Sequence, residues 1–439
     1  MKTLVKLIFL VFISFTAFSC SERSEARPTV MVVFGATGDL TAKKILPAID
    51  QLAEQGRLPK QFALIGAARK AEDEFRKKVH SNHPLLYAQV DFDLNAGYEN
   101  LEKQIGEIDK KFGAKSNRIY FLATQPSYFA SIVEQLSKHN LVHKPHGKVW
   151  SRVVIEKPFG RDLESAIALQ ENISQHLDES QIYLIDHYLG KEGVRNLVAL
   201  RQSGELESLW NKEHVERVDI TLSEEIGIGT RAKFWEETGL LRDVVQNHMM
   251  QLLSLTAMEW PTDQQSMAEK KIKVLQAIRP LEVERVARGQ YGSGEIKGER
   301  VVGYLEEKDV PQSSTAETFV AATVYIDNDR WGGVPFHMQG GKRLAAQLTE
   351  IVVSFKSKEE LHIRIQPKPA IFFKGSPEMA FESFPFSEAY QKLIYDCIQG
   401  DRSSFVQNEE QVAAWRLLTP VLEYWQTQSQ IETYSAGSI

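Results

Sequence analysis

A short polar segment, Tyr183 to Glu192 (YLIDHYLGKE), places an acid, an imidazole, a phenol and an ammonium group directly behind an apolar run. The run Ile182 to Ile185 predicts the end of a buried strand, and open α/β sheets bind ligands at that edge. A lysine supplies a mobile charge, while imidazole and phenol groups donate directed hydrogen bonds. The segment therefore predicts a phosphate-monoester site, with a polar-capped strand end as the alternative. The four groups named above are those of Asp186, His187, Tyr188 and Lys191.

The first part of the chain alternates apolar runs with amphipathic stretches. Thr29 to Phe34 (TVMVVF) is a short β-branched run, followed at once by a glycine turn and a helical stretch at 42–55. Strand-helix alternation of this kind predicts a doubly wound parallel sheet, the Rossmann-type dinucleotide-binding fold. The remaining predicted strands of this domain are 62–66, 118–123 and 152–155, and its predicted helices include 98–111 and 128–138.

Beyond residue 186 the pattern changes to alternating strands mixed with helices, which predicts an α+β domain with a large, mainly antiparallel sheet. The predicted strands are 215–222, 317–326, 349–355 and 361–366, and the predicted helices are 191–202, 239–257 and 387–397. We therefore expect a signal-like segment at 1–28, a dinucleotide-binding domain at 29–186 and a substrate-binding domain at 187–430.

A glycine turn links the first strand to its helix. A turn of this kind lets backbone N–H groups approach a pyrophosphate at the positive end of the helix. The spacing GxxGDL departs from GxGxxG, so a purely structural turn is the alternative. Its residues are Gly35, Ala36, Thr37, Gly38, Asp39 and Leu40.

The second predicted strand is followed by Arg69 and Lys70, where many dinucleotide enzymes carry an acid for the ribose hydroxyls. Two cations there favour a 2′-phosphate, so NADP is expected, with NAD as the weaker alternative. An ordinary surface Arg-Lys pair is the competing interpretation.

The segment Glu156 to Gly160 (EKPFG) follows a third predicted strand at the same edge of the sheet. A cis bond before Pro158 would turn Lys157 back over the ligand crevice, whereas the simpler alternative is a strand-ending turn.

Composition limits the class of protein. The chain has 439 residues, of which 43% are hydrophobic and 25% charged, with a formal net charge of -6. This composition is typical of globular domains, and without a basic stripe it argues against nucleic-acid binding. Cys20 and Cys397 are the only cysteines, and no spacing suits zinc, so neither a metal site nor a disulfide is expected.

The N-terminal segment has the order of a secretory signal. Lys2 and Lys6 precede an apolar run at 7–18, which is short for a transmembrane helix. The sequence Ala17 to Cys20 is similar to a bacterial lipoprotein box, which predicts an exported protein anchored to a membrane through a lipidated Cys20. If the start codon is instead Met31, the protein would be cytoplasmic.

Six motifs occur in an order that resembles the glucose-6-phosphate dehydrogenase family, over about residues 29–426: GATGDLTAKKILP, VVIEKPFGRDL, IDHYLGKE, GLLRDVVQNHMMQ, WGGVPFHMQGGKRL and AWRLLTP. The resemblance implies oxidation of glucose 6-phosphate at C1 to 6-phosphoglucono-1,5-lactone, with hydride transfer to NADP, in the oxidative pentose phosphate pathway. It also implies a homodimer or homotetramer.

The resemblance further implies that His248 is the general base and that Asp186 orients it. Without the resemblance, His248 is a histidine on a helix face shared with Val244 and Leu252, and a core histidine is the natural interpretation. Contacts to the sugar phosphate are implied for His187, Tyr188, Lys191, Glu224, Asp243, Lys342, Gln347 and Lys157, the last also lying near the nicotinamide. Contacts to the cofactor are implied for Gly35, Thr37, Gly38, Asp39, Leu40 and Arg69.

The chain departs from the family pattern at particular positions. Leu184 replaces an arginine that commonly precedes the motif IDHYLGKE, and Gln347 stands where the family usually has a lysine or arginine. The stretch between 366 and 387 is shorter than the family's usual loop. The signal-like N-terminus is also foreign to a cytoplasmic enzyme. Two alternatives follow: an exported sugar oxidoreductase of the Gfo/Idh/MocA type, and a non-catalytic protein that binds a sugar phosphate or nucleotide.

Overall fold

The structure is a computed structural model that describes residues 27–78, 81–145, 147–261, 266–381 and 384–438. Cys20 and most of the signal-like segment lie outside these residues. Within the described part of the chain, no helix is long and apolar enough to cross a membrane.

The first sheet contains six parallel strands in the order β3-β2-β1-β4-β5-β6, which confirms the predicted doubly wound arrangement. All six residues of its central strand β1 are buried, as expected for β-branched residues in a sheet covered on both faces. The strands are β1 (Thr29–Phe34), β2 (Phe62–Ala68), β3 (Leu85–Gln89), β4 (Asn117–Leu122), β5 (Ser151–Glu156) and β6 (Ile182–Ile185).

Helices cover this sheet on both faces. The chain leaves β1 through a short π-helix, π1 (Thr41–Ile45), which continues into α1. The α-helices of this half are α1 (Leu46–Glu54), α2 (Glu72–Lys78), α3 (Asn95–Phe112), α4 (Phe129–Lys138) and α5 (Leu163–Ser174).

The second sheet has nine strands, of which eight form the path β14-β13-β12-β7-β11-β10-β8-β15 and β9 pairs with β8. Most neighbours are antiparallel, but the β11–β7 and β15–β8 pairs are parallel, so the sheet is mixed. Its strands are β7 (Val215–Ser223), β8 (Ala287–Ile296), β9 (Glu299–Val301), β10 (Phe319–Tyr325), β11 (Pro335–Gly341), β12 (Leu348–Phe355), β13 (Glu360–Gln366), β14 (Ala370–Phe373) and β15 (Glu432–Ala436).

Among the described residues, the second half of the chain has seven α- or π-helices: α6 (Glu192–Ser203), α7 (Ala232–Leu240), π2 (Leu241–Met249), α8 (Met250–Ala257), α9 (Met267–Gln276), α10 (Ala389–Gln399) and α11 (Asn408–Gln426). The single helix predicted at 239–257 is therefore wrong in detail. Gly239 has φ 62° and ψ -177°, which interrupts the helix, and the nine residues Leu241–Met249 form π2 before α8 begins.

Segments from the C-terminal part of the chain pack against the first sheet, so the two domains are not two continuous stretches of sequence. Helix α10 packs on the first sheet, where Leu393, Ile394 and Cys397 join the same buried cluster as Phe121 and Ile185. The N–H of Val406 also bonds to the carbonyl of Leu184 on β6 at 3.0 Å. At the other end, β15 extends the second sheet beyond the predicted limit at residue 430.

Candidate active site

His248 and Asp186 form a buried hydrogen-bonded pair where π2 meets the end of β6. Nδ1 of His248 lies 2.6 Å from Oδ1 of Asp186, and the two side chains are 5% and 1% exposed. Because an ionised carboxylate only accepts hydrogen bonds, Nδ1 carries the proton and Nε2 is the nitrogen that can accept one. The backbone N–H of Tyr188 donates to the same Oδ1 at 2.9 Å, which fixes the carboxylate.

Electrostatics keep this pair in the state that a general base requires. Burial lowers the pKa of His248, and the Asp186 carboxylate opposes part of that shift. Burial alone would raise the pKa of Asp186, but the attraction and the hydrogen bond of His248 bring it well below its ordinary value. At neutral pH the pair therefore holds a neutral imidazole beside a carboxylate.

The polar segment after β6 surrounds the imidazole, as the sequence predicted. The ring of Tyr188 stacks on that of His248 with centroids 4.1 Å apart and planes at 20°. The ring of His187 meets His248 edge-on at 4.7 Å. Nζ of Lys191 lies 3.7 Å from the centroid of the Tyr188 ring, and burial lowers the pKa of Lys191 to about 8. These side chains form a cationic, hydrogen-bonding pocket wall next to the His248 imidazole.

Sequence reasoning missed Gln366, which joins this wall from the end of β13. Its Oε1 accepts hydrogen bonds from Nζ of Lys191 at 2.5 Å and from the hydroxyl of Tyr188 at 3.3 Å. The same hydroxyl lies 3.4 Å from Oγ1 of Thr349 on β12. The only signal in the sequence was that a polar residue ends an alternating strand, which is too common to identify a site.

Lys157 reaches into the site from the end of β5. The Lys157–Pro158 peptide bond is cis, which confirms the expectation from the sequence. Nζ of Lys157 bonds to both the backbone carbonyl and Oδ1 of Asp243, each at 2.8 Å. Burial would raise the pKa of Asp243, but the attraction of Lys157, and to a smaller extent that of His248 and Lys342, lowers it.

The last wall comes from the second sheet. Nζ of the buried Lys342, at the end of β11, forms an ion pair with Glu224, and it lies 4.8 Å from the centroid of the Trp235 ring. Gln347 is partly buried, and its backbone N–H donates to Glu225, the neighbour of Glu224, at 3.2 Å. The structure thus places most of the predicted sugar-phosphate residues around one space, and the backbone N–H of Gln347 binds Glu225 beside it.

The glycine turn lies at the same edge of the first sheet, after β1. Gly35 has φ 84°, and a Cβ atom there would stand 2.2 Å from the carbonyl oxygen of Ala123, so only glycine fits. The N–H of Gly38 bonds to the carbonyl of Gly35 at 2.9 Å, and Thr41 bonds to that carbonyl at 3.1 Å. This close-packed turn at the start of a helical segment suits the approach of a pyrophosphate.

Arg69 follows β2 beside this turn and is exposed. Nη1 donates to the hydroxyl of Tyr128 at 2.9 Å, and the guanidinium lies 5.1 Å from the centroid of that ring. It also lies 5.7 Å from the centroid of the Phe92 ring. Aromatic contacts hold the guanidinium at the sheet edge while leaving it accessible, and this arrangement fits an anionic ligand group such as a 2′-phosphate.

A second buried acid, Glu156, lies at the end of β5 next to the site. It is 7% exposed and is hydrogen-bonded by the hydroxyl of Tyr390 on α10. Burial raises the pKa of Glu156 to about 7. The ring of Tyr390 is parallel to that of His187, with centroids 6.5 Å apart, so Glu156 lies behind the cluster. Sequence analysis assigned this carboxyl no role.

Asp186, His187 and His248 also form the one group of described residues whose geometry could hold a metal ion. Nδ1 of His248 is already bonded to the Asp186 carboxylate, which leaves the three groups arranged as a proton-accepting site. The absence of a resident metal stays a prediction.

Comparisons with known proteins agree with this geometry. The family model described as "Glucose-6-phosphate dehydrogenase, NAD binding domain" matches residues 32–196, and that described as "Glucose-6-phosphate dehydrogenase, C-terminal domain" matches residues 198–439. The chain belongs to the glucose-6-phosphate dehydrogenase family. Both halves are matched, so the family assignment applies to each of the two sheets.

Among relatives, the glucose-6-phosphate 1-dehydrogenase of Chlamydia pneumoniae is 42% identical, over 94% of this chain and 92% of that protein. The glucose-6-phosphate 1-dehydrogenase 2 of Mycobacterium bovis is 39% identical, over 94% and 91%. A solved glucose-6-phosphate dehydrogenase in complex with its substrate superposes with a TM-score of 0.84 at 32% identity, covering 94% of this chain and 95% of that one. The similarity to this glucose-6-phosphate dehydrogenase therefore extends through nearly the entire chain.

More distant structures share only the fold. Gal80p from Saccharomyces cerevisiae has a TM-score of 0.56 at 12% identity, covering 91% of this chain and 96% of that one. Such a likeness shows a shared fold and does not transfer an activity.

Proposed function

We infer that this chain is a glucose-6-phosphate 1-dehydrogenase that oxidises C1 of D-glucose 6-phosphate to the 1,5-lactone with NADP as the oxidant. The single observation that carries the inference is the buried Asp186–His248 pair, surrounded by Tyr188, Lys191 and Lys157 in a chain of this family. A base next to cationic phosphate-binding groups is what dehydrogenation of a phosphorylated sugar needs.

In the proposed mechanism, Nε2 of His248 accepts the proton of the C1 hydroxyl. The Asp186 carboxylate stabilises the imidazolium that results and keeps the ring oriented through Nδ1. NADP⁺, when bound, would supply the acceptor for the hydride of C1 and so take up the two electrons that the sugar loses. The proton on His248 is then released to water, which balances the reaction.

His187, Tyr188 and Lys191 would hold the 6-phosphate, because they combine a cation with directed donors. Glu224 and Asp243 would accept hydrogen bonds from sugar hydroxyls, with Lys342 and Lys157 pairing these acids before the sugar arrives. Gln347 would contact the sugar region only weakly, since it lacks the charge of the usual basic residue.

On the cofactor side, Gly35, Thr37, Gly38, Asp39 and Leu40 would surround the pyrophosphate. The restricted space at Gly35 and the accessible guanidinium of Arg69 fit NADP. Lys157, which already reaches Asp243 from the first domain, would lie between the sugar and the nicotinamide.

The test is the absorbance of reduced nicotinamide when the purified full chain is mixed with glucose 6-phosphate and NADP. Turnover with glucose 6-phosphate, and far less with unphosphorylated glucose, is expected. Equal rates with both sugars would favour a general sugar oxidoreductase. Binding of both ligands without turnover would instead indicate a non-catalytic binding protein and overturn the proposal.

The compartment is a separate proposal that rests on the sequence of residues 1–28 alone. The charged start, the short apolar run and Cys20 support export and attachment to a membrane by a lipid on Cys20. Mass analysis of the native N-terminus after cell fractionation tests this. A soluble chain that begins at Met31 would overturn it.

A homodimer or homotetramer is proposed from the family pattern. Light scattering of the purified protein should give about two or four times the 49.8 kDa of one chain. A single-chain mass at micromolar concentration would contradict the proposal.

A further inference from the structure

The helix that carries His248 begins at an unusual cap. Near the end of α7 the backbone turns sharply at Gly239, so the N–H groups of the next residues, Leu240 and Leu241, have no helical acceptor. The N–H of Leu240 bonds to the backbone carbonyl of Glu317 at 2.9 Å, and the N–H of Leu241 bonds to Oε1 of the same residue, also at 2.9 Å. One residue just before β10 therefore satisfies both groups.

Glu317 is well placed for this task because it is 5% exposed and closely surrounded. A Cβ atom on Gly239 would stand 2.4 Å from Oε1 of Glu317, so only glycine leaves room for the carboxylate. The indole N–H of Trp235 also bonds to the Glu317 carbonyl, at 3.3 Å. A carboxylate at the start of a helix is favoured by the helix dipole as well as by its hydrogen bond.

The segment that follows this cap has hydrogen bonds from residue i to i+5, which are rare and concentrate at functional sites. In an α-helix, residues four apart share a face, whereas residues five apart do not. The wider turn of π2 brings Asp243 and His248, five positions apart, to the same side. Nδ2 of Asn247 bonds to the carbonyl of Arg242 at 3.0 Å, a side-chain contact across the same five-residue spacing.

The side chains of Asp243 and His248 both face the site already described. Asp243 pairs with Lys157, and His248 pairs with Asp186. An α-helical register would keep one of them there and turn the other away. We propose that Glu317 is a positioning residue, whose cap on the first turn of π2 keeps Asp243 and His248 together in the site. Its catalytic consequence rests on the proposed function, but the capping itself does not.

The test compares Glu317→Ala with Glu317→Gln, which retains an oxygen acceptor, and with Ser266→Ala. The last is a matched control, because Ser266 caps α9 by accepting a bond from the N–H of Glu269 at 3.2 Å. Glu317→Ala should lower kcat/KM for glucose 6-phosphate by about 10- to 100-fold, the usual effect of a small displacement of reacting groups. It should also shift the pH profile of kcat/KM, while Glu317→Gln recovers most of the rate.

Hydrogen exchange supplies a readout that does not need turnover. Amides of 241–249 should lose protection in Glu317→Ala and keep it in Ser266→Ala. Failure of the proposed function would leave the unsubstituted chain inactive with these amides protected. Failure of the positioning role would leave Glu317→Ala with normal kcat/KM, pH profile and protection, whatever its melting temperature.

If Glu317→Ala does not fold, Glu317→Asp takes its place, since it keeps the charge but withdraws the carboxylate from Leu241. We expect this variant to fall between Glu317→Gln and Glu317→Ala in kcat/KM. Full activity in Glu317→Asp, or a loss in Glu317→Gln as large as in Glu317→Ala, would overturn the proposal.

Discussion

Nδ1 of His248 lies 2.6 Å from a carboxylate oxygen of Asp186, although the two residues stand 62 positions apart in the chain. The strand β6 delivers the acid from the first sheet, and π2 delivers the imidazole from the second half of the chain. The hydrogen-bonded pair is therefore assembled only when both halves are folded against each other.

Removing either member of this pair should abolish most of the rate. His248→Asn should lower kcat by about 10²- to 10⁴-fold, the usual range for a general base, with little change in substrate binding. Asp186→Asn should act in the same direction because it misorients the imidazole. The double variant should lose far less than the product of the two single losses, since the residues act as a unit.

These three variants are compared by kcat at saturating substrate near neutral pH, with His139→Asn as a control, since that histidine stacks on Tyr98 instead. Multiplicative losses, or a near-normal kcat in His248→Asn, would return His248 to the role of a core histidine.

Arg69 should determine the preference for NADP. One charge-assisted contact to a phosphate contributes about 1.5–3 kcal/mol, so Arg69→Ala should raise the KM for NADP by roughly tenfold or more. The KM for NAD should hardly change. Arg76→Ala removes another exposed arginine, which pairs with Glu72, and should affect neither cofactor. Equal losses with NADP and NAD would show that Arg69 is structural.

The pKa of Lys191 should make kcat/KM for glucose 6-phosphate fall at alkaline pH. In the proposed function its ammonium group attracts the 6-phosphate. Burial lowers the pKa of Lys191 to about 8, so the charge is lost as pH rises through that value. The kcat/KM for glucose 6-phosphate should therefore fall above about pH 8. Lys191→Arg stays charged and should move this fall to higher pH, even if its activity at pH 7 is lower. An identical alkaline limb in both proteins would exclude Lys191 as its source.

Glu156 should make stability depend on pH. Its pKa rises from 4.5 to about 7 on folding, so between these values the native state holds a proton that the unfolded chain releases. This contribution is complete below about pH 4.5 and is lost as pH rises through about 7, at a cost on the order of 3 kcal/mol. The Glu156→Gln side chain stays neutral at every pH. As pH rises from 5 to 8, the melting temperature of this variant should therefore increase relative to that of the parent.

The exposed Glu54→Gln is the control for this experiment, and its difference from the parent should stay flat across the same range. A pH-independent difference for Glu156→Gln would mean that the buried carboxyl is ionised throughout.

The sequence predicted the parts of the fold that depend on local pattern. The apolar runs at β1 and β6 gave strands with the expected bounds, because a strand buried on both faces needs uninterrupted apolar residues. The polar segment follows β6 at the carboxyl edge of the sheet, as the apolar run before it predicted. Gln366 was not found, since its contact with Lys191 depends on where β13 packs.

The register of π2 was also beyond the sequence pattern. Val244, His248 and Leu252 are spaced as on an ordinary α-helix, and nothing local indicates hydrogen bonds to i+5. The contacts at its start lie outside the segment, in the turn at Gly239 and the acceptors of Glu317. Long-range packing of this kind is the part of a structure that periodicity does not encode.

Helix α10 has a consequence for the order in which the protein can form. Its residues Leu393, Ile394 and Cys397 cover apolar side chains of β4, β5 and β6, which were synthesised more than two hundred positions earlier. During translation, apolar side chains on one face of the first sheet stay exposed to solvent until α10 has been synthesised, near the end of the chain. Nascent chains that stop short of α10 would therefore depend on chaperones, and the dinucleotide-binding half is a poor candidate for separate expression.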